Sequence, residues 1–439
     1  MGLVDNRPAF RMLGGKNPEE IFFLRAAADG EGEPLQTPCY VIEEEQLMRN
    51  GEILSGVSRR TGCKILLAQK AFSNFNLYSL LSNYLAGTEA SGLYEARLGA
   101  EEMPGKEVHV FCGAYRNAEF TELLRYADHI VFNSVHQLAK FGKQAKAAGK
   151  SIGLRINPEC STQEGHAIYD PCASGSRLGV TRTVWNEEMT EELVAMLDGL
   201  HFHTLCEQDS EDLETTLAAV EEKFGDILPN VSWLNMGGGH HITKPGYDIE
   251  RLEKCILYAR DKWKVQVYLE PGEAVALNAG YLVTRVLDIV TNGNTKIAIL
   301  DASAACHMPD VIEMPYMPPL YRGVAVESAE AESHAETGVD SKNVNDKQKQ
   351  CAQTYRYRLA GPTCLAGDVI GDYEFAKKLT EGDLLVFGDM AIYTTCKNNT
   401  FNGMPLPDIR KRTPDGEFVQ LTRFGYEDFK MRLGTRQSN

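Results

Sequence analysis

The strongest constraint on the fold is a regular alternation of short apolar runs with longer amphipathic runs between about residues 62 and 273. Short apolar runs indicate buried strands, and amphipathic runs indicate helices. Eight such apolar runs are present: Lys64–Gln69, Gly87–Ser91, Val108–Cys112, His129–Phe132, Ile152–Ile156, Leu200–Phe202, Val231–Met236 and Val265–Leu269. Eight strand–helix units in roughly 200 residues predict an α/β fold, a closed (β/α)8 TIM-like barrel.

The intervening amphipathic runs predict the helices Leu93–Leu98, Glu119–Tyr126, Val135–Ala148, Glu187–Leu197, Leu213–Phe224 and Ile249–Lys262. An open, doubly wound sheet is the structural alternative. However, the Gly-x-Gly-x-x-Gly turn typical of dinucleotide-binding sheets does not follow the first run, so the closed barrel is favoured.

A different pattern begins near residue 280, where strand-like segments are separated by Gly and Pro turns. These segments are Tyr281–Val290, Thr295–Asp301, Tyr355–Leu359 and Asp383–Phe387. We therefore predict a barrel over residues 46–280 and a mostly β domain over residues 281–439. A first strand within residues 36–45 is expected to pair into the β domain.

Two further segments lack the pattern of a folded core. Residues 1–35 form a weakly patterned N-terminal extension. Residues 326–353 are rich in Glu, Ala, Ser, Asn, Asp, Lys and Gln, with almost no large apolar side chain. Such a composition buries too little surface to offset the entropy of ordering, so we predict a mobile insertion.

Composition narrows the class of protein. The net charge of −16 argues against a surface that binds the phosphate backbone of nucleic acid. The same charge is compatible with a cationic substrate. No apolar run approaches the ~18 residues that span a bilayer, and the N-terminus lacks the layout of a signal peptide. Eleven cysteines without a Cys-x-x-Cys pair are typical of reduced thiols. We expect a cytoplasmic protein.

Several chemically distinctive residues follow the predicted barrel strands. Lys70 directly follows the first apolar run and His203 follows the sixth. Gly237, Gly238 and Gly239 follow the seventh run, and Glu270 follows the eighth. Active sites of closed barrels lie at the carboxyl ends of the strands. The sequence therefore predicts one site that contains these residues.

Lys70 suggests covalent binding of an aldehyde cofactor. It follows the apolar segment Ile65–Ala68 and Gln69, so its base is buried if the segment is a barrel strand. A buried ammonium has a depressed pKa, and such an amine is the form that attacks a carbonyl. From position alone, a lysine that extends to solvent at the strand end is an equally good interpretation.

The glycines and Glu270 fit the remainder of such a cofactor. Backbone N–H groups in a glycine loop can approach a phosphate, and barrels often bind phosphate beyond strands seven and eight. A carboxylate at the end of a buried strand needs a partner, which a pyridinium nitrogen would supply. The alternatives are an ordinary loop for the glycines and an internal salt bridge for Glu270.

A second interpretation is a zinc site. His201, His203 and Cys206 are closely spaced, and His240 and His241 follow the next strand. Three such ligands with an open position would suit catalytic zinc. This interpretation leaves Lys70, the glycine loop and Glu270 unexplained, so we expect no metal.

The β domain contains one conspicuous turn, Gly361–Asp368. Cys364 and Asp368 on this irregular segment would suit a proton donor and a substrate contact. Taken alone, a buried free cysteine in a turn is the more common case.

Together these segments resemble the fold type III pyridoxal-phosphate decarboxylases, the family of ornithine, diaminopimelate and carboxynorspermidine decarboxylases, which share the alanine racemase-like architecture. The resemblance extends from about Thr37 to Pro407, apart from the insertion. It is most similar to the carboxynorspermidine/carboxyspermidine subgroup. The segments that carry it are Ala68–Phe72, His203–Glu207, Asn235–His240, His307–Asp310, Glu313–Tyr316, Gly361–Ile370 and Thr400–Gly403.

The resemblance implies a role for individual residues. Lys70 would bind pyridoxal 5′-phosphate covalently, Glu270 would face the pyridine nitrogen, and His203 would stack on the ring. Gly237, Gly238, Gly239 and Tyr393 would contact the phosphate, and Arg155 would lie close to the cofactor. Cys364 would protonate the product in the site of a neighbouring subunit, which implies a homodimer with shared active sites.

Two departures from the family pattern bear on the substrate and the phosphate. Glu273 stands where ornithine and diaminopimelate decarboxylases have an arginine, so the phosphate must depend more on backbone donors and Tyr393. Leu365 stands where ornithine decarboxylase has an aspartate. We therefore expect Asp310 or Glu313 to bind the distal amine of a small cationic amino acid.

The expected reaction is decarboxylation of carboxynorspermidine or carboxyspermidine to a polyamine. Decarboxylation of another basic amino acid, meso-diaminopimelate, ornithine or lysine, is the nearest alternative. A zinc-dependent barrel hydrolase and a non-catalytic carrier of pyridoxal phosphate are further alternatives. A carrier resembles a lone barrel, which the roughly 160 residues after the barrel argue against.

Overall fold

The computed structural model describes residues 35–163, 170–321, 323–325 and 354–434. The predicted insertion at 326–353 and almost all of the N-terminal extension therefore lie outside the described residues. The chain divides into two compact units, one formed by Leu47–Leu277 and the other by the segments up to Gln46 and from Asn278 onward. The first strand, β1 (Cys39–Glu43), belongs to the second of these, the sheet unit.

Eight parallel strands close into a barrel in the order in which they occur along the chain. They are β2 (Lys64–Ala68), β3 (Gly87–Ala90), β4 (Glu107–Phe111), β5 (His129–Phe132), β6 (Ser151–Arg155), β7 (Gly199–His201), β8 (Trp233–Asn235) and β9 (Gln266–Leu269). β2 closes the ring by pairing with β9, with Lys64 opposite Tyr268. Each of the eight predicted runs overlaps one of these strands, and β4, β6 and β7 begin one residue before their runs, so the barrel is confirmed.

Helices precede, separate and follow the barrel strands, and five of the six predicted helices each overlap one of these helices. Their bounds are Glu44–Thr61, Tyr78–Leu81, Leu93–Glu102, Asn117–Leu123, Val135–Ala147, Arg182–Glu188, Glu191–Val194, Ser210–Phe224, Ile249–Trp263 and Glu273–Ala276. The single helix predicted over Glu187–Leu197 is wrong. Thr190 is extended and its hydroxyl accepts a hydrogen bond from the N–H of Leu193, so it caps a new helix and ends the continuity of the first.

The sheet unit contains nine described strands. After β1 they are β10 (Gly280–Asn292), β11 (Thr295–Leu300), β12 (Gly323–Ala325), β13 (Tyr355–Ala360), β14 (Val369–Phe375), β15 (Leu384–Gly388), β16 (Asp408–Arg412) and β17 (Phe418–Thr422). Three short helices accompany them: Ala304–His307, Asp310–Glu313 and Tyr426–Met431. The predicted class, a barrel with a second, mostly β domain, is confirmed.

β10 joins the two halves of this sheet. It pairs with β1 and β15 along its first part and with β11 along its second part. Cys39, Val41, Tyr281, Val283 and Val386 form a buried apolar cluster on these strands. Among the described helices, none has both the length and the apolar character needed to cross a membrane.

Candidate active site

Lys70 lies in the turn that follows β2 and is half-buried. The preceding residue, Gln69, is fully buried, and its side-chain amide donates to the carbonyls of Glu89 (3.2 Å) and Glu95 (2.9 Å). These bonds fix the backbone from which the lysine projects. The Lys70 ammonium makes no hydrogen bond or ion pair with any residue that the structure describes, so it is available to a ligand.

Glu270 follows β9 and is 4% exposed. Asn235, at the end of β8, donates from Nδ2 to Oε1 of Glu270 at 2.5 Å. His201, at the end of β7, lies with Nε2 at 3.1 Å from Oε2. Burial disfavours the charged carboxylate, but the hydrogen bond from His201 and the positive charge of Lys70 hold the pKa of Glu270 below its usual value. The carboxylate is therefore ionised and buried, as a partner of a pyridinium nitrogen must be.

A second buried carboxylate, Glu89 at the end of β3, was not predicted as a site residue. It is 2% exposed, and its Oε2 atom has no hydrogen-bond partner among the described residues. Burial raises the pKa of Glu89, Lys70 opposes the rise and Glu270 reinforces it. The available signal was the same as for Glu270, an acidic residue that ends a barrel strand.

His203 lies two residues beyond β7, beside the glycine loop. Its Nδ1 atom accepts a hydrogen bond from the N–H of Gly238 at 3.3 Å, which fixes the orientation of the ring. Burial, together with the positive charges of Lys70 and Arg155, holds the pKa of His203 well below its usual value. The imidazole is therefore uncharged at neutral pH, which suits stacking against an aromatic ring.

Arg155 is the last residue of β6 and is 4% exposed. It donates from Nη2 to the carbonyl of His203 at 3.1 Å, and its guanidinium lies 4.7 Å from the centre of the Phe111 ring. Burial lowers the pKa of Arg155 to about 10, so the side chain remains charged. The structure thus places a cation beside the segment that carries His203.

The glycine loop is packed too closely for any side chain. A Cβ atom would lie 2.5 Å from the Phe202 carbonyl oxygen at Gly237, 2.4 Å from that of Glu270 at Gly238, and 2.1 Å from that of Leu205 at Gly239. Gly237 and Gly239 also have positive φ angles of 70° and 80°. These three positions require glycine because the loop contacts the neighbouring strand ends through backbone atoms.

Two of the three glycine N–H groups are already used within the barrel. Gly237 donates to Oδ1 of Asn235 at 2.9 Å, and Gly238 donates to His203. The N–H of Gly239 has no acceptor among the described residues. The loop therefore offers fewer free donors for a phosphate than the sequence alone implies.

Glu273, the residue that departs from the family pattern, begins a short helix and is half-buried. Nε2 of His241 lies 3.3 Å from its carboxylate. Glu207 completes a group in which one ligand atom of each residue lies within 4.8 Å of the others. The carboxylate thus has an imidazole beside it within the barrel unit.

In the sheet unit, the carboxylate of Asp368 is bonded within the turn from Gly361 to Asp368 and to the adjacent segment. Asp368 is 2% exposed, and its carboxylate accepts hydrogen bonds from the hydroxyls of Ser303 (2.9 Å) and Thr363 (2.7 Å). The N–H of Ala305 adds a further bond at 3.2 Å. These bonds favour a role in building the turn over the predicted contact with substrate.

Cys364, by contrast, is exposed on that turn. Its N–H donates to Oδ1 of Asn402 at 3.0 Å, which ties the turn to the segment Phe401–Gly403. Leu365 and Phe401 beside it are large apolar side chains that are 44% and 47% exposed. Cys364 is therefore not the buried free cysteine that is common in turns.

The two predicted substrate acids of the sheet unit share one cation. Lys397 donates to Asp310 and, at 2.9 Å, to Oε2 of Glu313. The same ammonium lies 5.5 Å from the centre of the Tyr393 ring. Tyr393 has a positive φ of 54°, so its backbone is held in an uncommon conformation. A cationic substrate that uses these acids would compete with Lys397.

The zinc interpretation keeps some geometric support. His201, His203 and Glu270 place one potential ligand atom each within 4.8 Å of the others, and Cys206 is outside this group. The same residues, however, fit pyridoxal phosphate together with Lys70 and the glycine loop. An available amine, an ionised buried carboxylate, a neutral imidazole and a close-packed glycine loop are what that cofactor requires.

Comparison with known proteins identifies the family. Residues 39–391 match a protein-family model whose description is pyridoxal-dependent decarboxylase, C-terminal sheet domain. The chain is 41% identical to the carboxynorspermidine/carboxyspermidine decarboxylase of Campylobacter jejuni, over 91% of this chain and 99% of that protein. It is 39% identical to the carboxyaminopropylagmatine decarboxylase of Synechocystis, over 91% of this chain and 96% of that protein.

Solved structures agree. The crystal structure of carboxynorspermidine decarboxylase from Campylobacter jejuni, complexed with norspermidine, has a TM-score of 0.79 at 40% identity and covers 91% of this chain and all of that one (100%). Diaminopimelate decarboxylase from Methanocaldococcus jannaschii shares the fold at 20% identity and a TM-score of 0.72, over 92% of this chain and 93% of that one. The chain therefore belongs to the pyridoxal-dependent decarboxylases, and it is a pyridoxal-phosphate-dependent decarboxylase.

Proposed function

We propose that this enzyme decarboxylates carboxynorspermidine or carboxyspermidine and thereby forms the polyamine norspermidine or spermidine. The observation that carries the proposal is the 41% identity to the Campylobacter jejuni enzyme named for these two substrates, along 99% of its length. The related structure with norspermidine bound supports a polyamine product. Diaminopimelate decarboxylases are only 23–26% identical to this chain, so they support that alternative less well.

When bound, pyridoxal phosphate would accept the electrons that are released as the Cα–carboxylate bond breaks. We assign the covalent attachment of the cofactor to Lys70, because this lysine is half-buried and its amine has no partner among the described residues. Glu270 would hold a proton on the ring nitrogen through its ionised carboxylate. His203 would lie against the ring, and Gly239 would donate its free N–H to the phosphate.

Cys364 is proposed to deliver the proton that replaces the carboxylate on the product. The resemblance to the family assigns this step to the cysteine of the partner subunit, so the enzyme is proposed to act as a homodimer. The exposure of Cys364, beside the exposed apolar side chains of Leu365 and Phe401, supports a surface that a second chain covers. We further propose a cytoplasmic location, from the cysteine usage of the chain.

Asp310 and Glu313 are proposed to bind the distal amine of the substrate. Both carboxylates lie on one short helix, and Lys397 shows that they can hold an ammonium group between them. A triamine acid carries such a group at the end of an apolar chain. We also propose that Arg155 lies close to the cofactor. Tyr393 is proposed to contact the phosphate of the cofactor.

A second candidate substrate is carboxyaminopropylagmatine, because the Synechocystis relative named for it is nearly as similar, at 39% identity. Its distal group is a guanidinium in place of an amine. A guanidinium forms paired hydrogen bonds with a carboxylate, whereas an ammonium acts as a compact charge. The two substrates therefore make different demands on the same acidic residues.

The test is a substrate panel with the purified enzyme and pyridoxal phosphate. Carbon dioxide release is measured for carboxynorspermidine, carboxyspermidine, carboxyaminopropylagmatine, meso-diaminopimelate and ornithine. We expect the highest kcat/KM for the two triamine acids. These two substrates differ by one methylene, so their kcat/KM values should differ from each other by no more than about 200-fold. A higher kcat/KM for any of the other three acids would contradict the proposal.

A further inference from the structure

The His-x-His pattern that suggests zinc contains one histidine that the proposed function leaves without a role. His201 is 1% exposed and is the last residue of β7. Its Nε2 atom lies 3.1 Å from Oε2 of Glu270, and the other oxygen of Glu270 is bonded to Asn235. Each oxygen of the carboxylate is therefore held by one side chain from another barrel strand, His201 of β7 and Asn235 of β8, which fixes the plane of the carboxylate.

The charge of His201 decides what this contact does. Burial lowers the pKa of His201 below its usual value, although Glu270 opposes the shift, and the charges of Arg155 and Lys70 lower it further. The imidazole is therefore neutral, and a neutral ring beside a carboxylate donates from the nitrogen that faces it. A neutral donor leaves the full negative charge on Glu270, whereas an imidazolium would cancel that charge.

The second nitrogen of His201 is left without a partner. Nδ1 is buried and has no hydrogen bond to any residue that the structure describes. The contact with Glu270 is therefore the one hydrogen bond of this imidazole among the described residues. The Phe111 ring stacks on the imidazole with centres 5.4 Å apart, and the Arg155 guanidinium lies 4.7 Å from the centre of the same phenyl ring. The surroundings thus fix the ring so that Nε2 faces Glu270.

We propose that His201 is a positioning residue for the cofactor, which acts by donating a hydrogen bond from Nε2 to Glu270 and so keeps that carboxylate charged and aimed at the ring nitrogen. The proposal rests on the proposed binding of pyridoxal phosphate. It does not depend on which amino acid is decarboxylated.

The test compares His201→Phe with His201→Gln in the holoenzyme. Phenylalanine keeps the ring and removes the donor, whereas the side-chain amide of glutamine places a donor near the position of Nε2. We expect His201→Phe to change the absorbance spectrum of the bound cofactor and its pH dependence, and to lower kcat by about tenfold or more with little change in KM. His201→Gln should restore most of both properties.

Three results would overturn the inference. The first is a His201→Phe enzyme with the wild-type spectrum and kcat. The second is a His201→Gln enzyme as impaired as His201→Phe while both unfold at the wild-type temperature. The third needs no variant: nitrogen NMR of the histidine-labelled holoenzyme should show a neutral Nε2–H tautomer for His201, and an imidazolium or an Nδ1–H tautomer contradicts the proposal.

These readouts separate this inference from the proposed function. If the His201 variants behave as expected but no triamine acid is decarboxylated, the proposed substrate is wrong and the role of His201 stands. If the triamine acids are decarboxylated and the His201→Phe spectrum is unchanged, the role of His201 is wrong and the substrate stands.

Discussion

Glu89 and Glu270 are two buried carboxylates at the ends of barrel strands, and only Glu270 has a donor on each of its oxygens. Oε2 of Glu89 has no hydrogen-bond partner among the described residues. The pKa of Glu270 is lowered and that of Glu89 is raised. Environments that separate the pKa values of two nearby acids assign one to the charged role and the other to the proton-carrying role.

The first prediction concerns the pH dependence of stability. In the unfolded chain Glu89 titrates near 4.5, whereas in the folded protein its pKa is higher. The folded state therefore keeps a proton that the unfolded state has lost, and the stabilisation is complete below pH 4.5 and is lost as the pH rises through the folded pKa. Each pH unit in this window removes up to about 1.4 kcal/mol of unfolding free energy.

Glu89→Gln should abolish this contribution to the slope. The measurement is urea unfolding of the cofactor-free protein across a series of pH values from 4.5 upward. Glu222→Gln, at an exposed glutamate of the barrel unit, is the matched control and should keep the wild-type slope. A wild-type slope in Glu89→Gln would show that Glu89 is ionised in the folded protein.

The second prediction separates backbone strain from close packing in the glycine loop. Gly239 and Gly246 both have positive φ, 80° and 88°, so alanine costs about 1–2 kcal/mol of strain at either position. Only at Gly239 would the new Cβ meet another atom, the Leu205 carbonyl oxygen at 2.1 Å. Gly239→Ala should therefore lower the unfolding free energy further than Gly246→Ala, and it should also weaken binding of pyridoxal phosphate.

Denaturant unfolding and a fluorescence titration with pyridoxal phosphate provide the two readouts. Equal effects of the two substitutions on both would mean that the loop can move away from Leu205 and that Gly239 does not contact the phosphate.

The third prediction concerns the acids that Lys397 occupies. If Asp310 and Glu313 bind the distal amine of the substrate, Lys397→Met should remove the ammonium group that competes with this amine and lower the KM for carboxynorspermidine by a few-fold. Lys378→Met, which removes a lysine that lies over the Tyr355 ring, serves as the control. An unchanged KM in steady-state kinetics would place the distal-amine site elsewhere.

The fourth prediction concerns the proposed homodimer. Lys70→Ala and Cys364→Ala subunits, each nearly inactive alone, should regain activity when mixed and allowed to exchange. Random association makes about half of the dimers hybrid, each with one of two sites intact, so recovery should approach roughly a quarter of the wild-type activity. After exchange is verified with tagged subunits, a mixture no more active than its parents would contradict the shared site.

The barrel could be predicted because parallel strands are buried on both faces and appear as apolar runs, as in Ile65–Ala68. Edge and exposed strands lack that signal. β16 has the sequence Asp-Ile-Arg-Lys-Arg, and β17 is half-exposed, so neither was predicted. β14 was also missed, because it follows directly from the turn at Gly361–Asp368. Only its first two residues, Val369 and Ile370, lie within the segment Gly361–Ile370 that the sequence analysis singled out.

The candidate site could be predicted only in part for a similar reason. Lys70, Glu270 and the glycines follow strands, so the barrel geometry alone groups them. The partner of Glu270 depends on which side chains point inward from β7 and β8, and no spacing along the chain indicates that Asn235 and His201 meet one carboxylate. Lys397 is likewise 84 residues from Glu313, and its ion pair exists only in the folded sheet unit.

The most direct test of the central claim is to locate the lysine that carries the cofactor. The holoenzyme is reduced with borohydride, its carbon dioxide release from carboxynorspermidine is measured before and after reduction, and the peptide that bears the pyridoxyl group is sequenced by mass spectrometry. We predict that reduction abolishes carbon dioxide release and that Lys70 alone carries the group. A pyridoxyl group on another lysine, or full activity after complete reduction, would contradict the account.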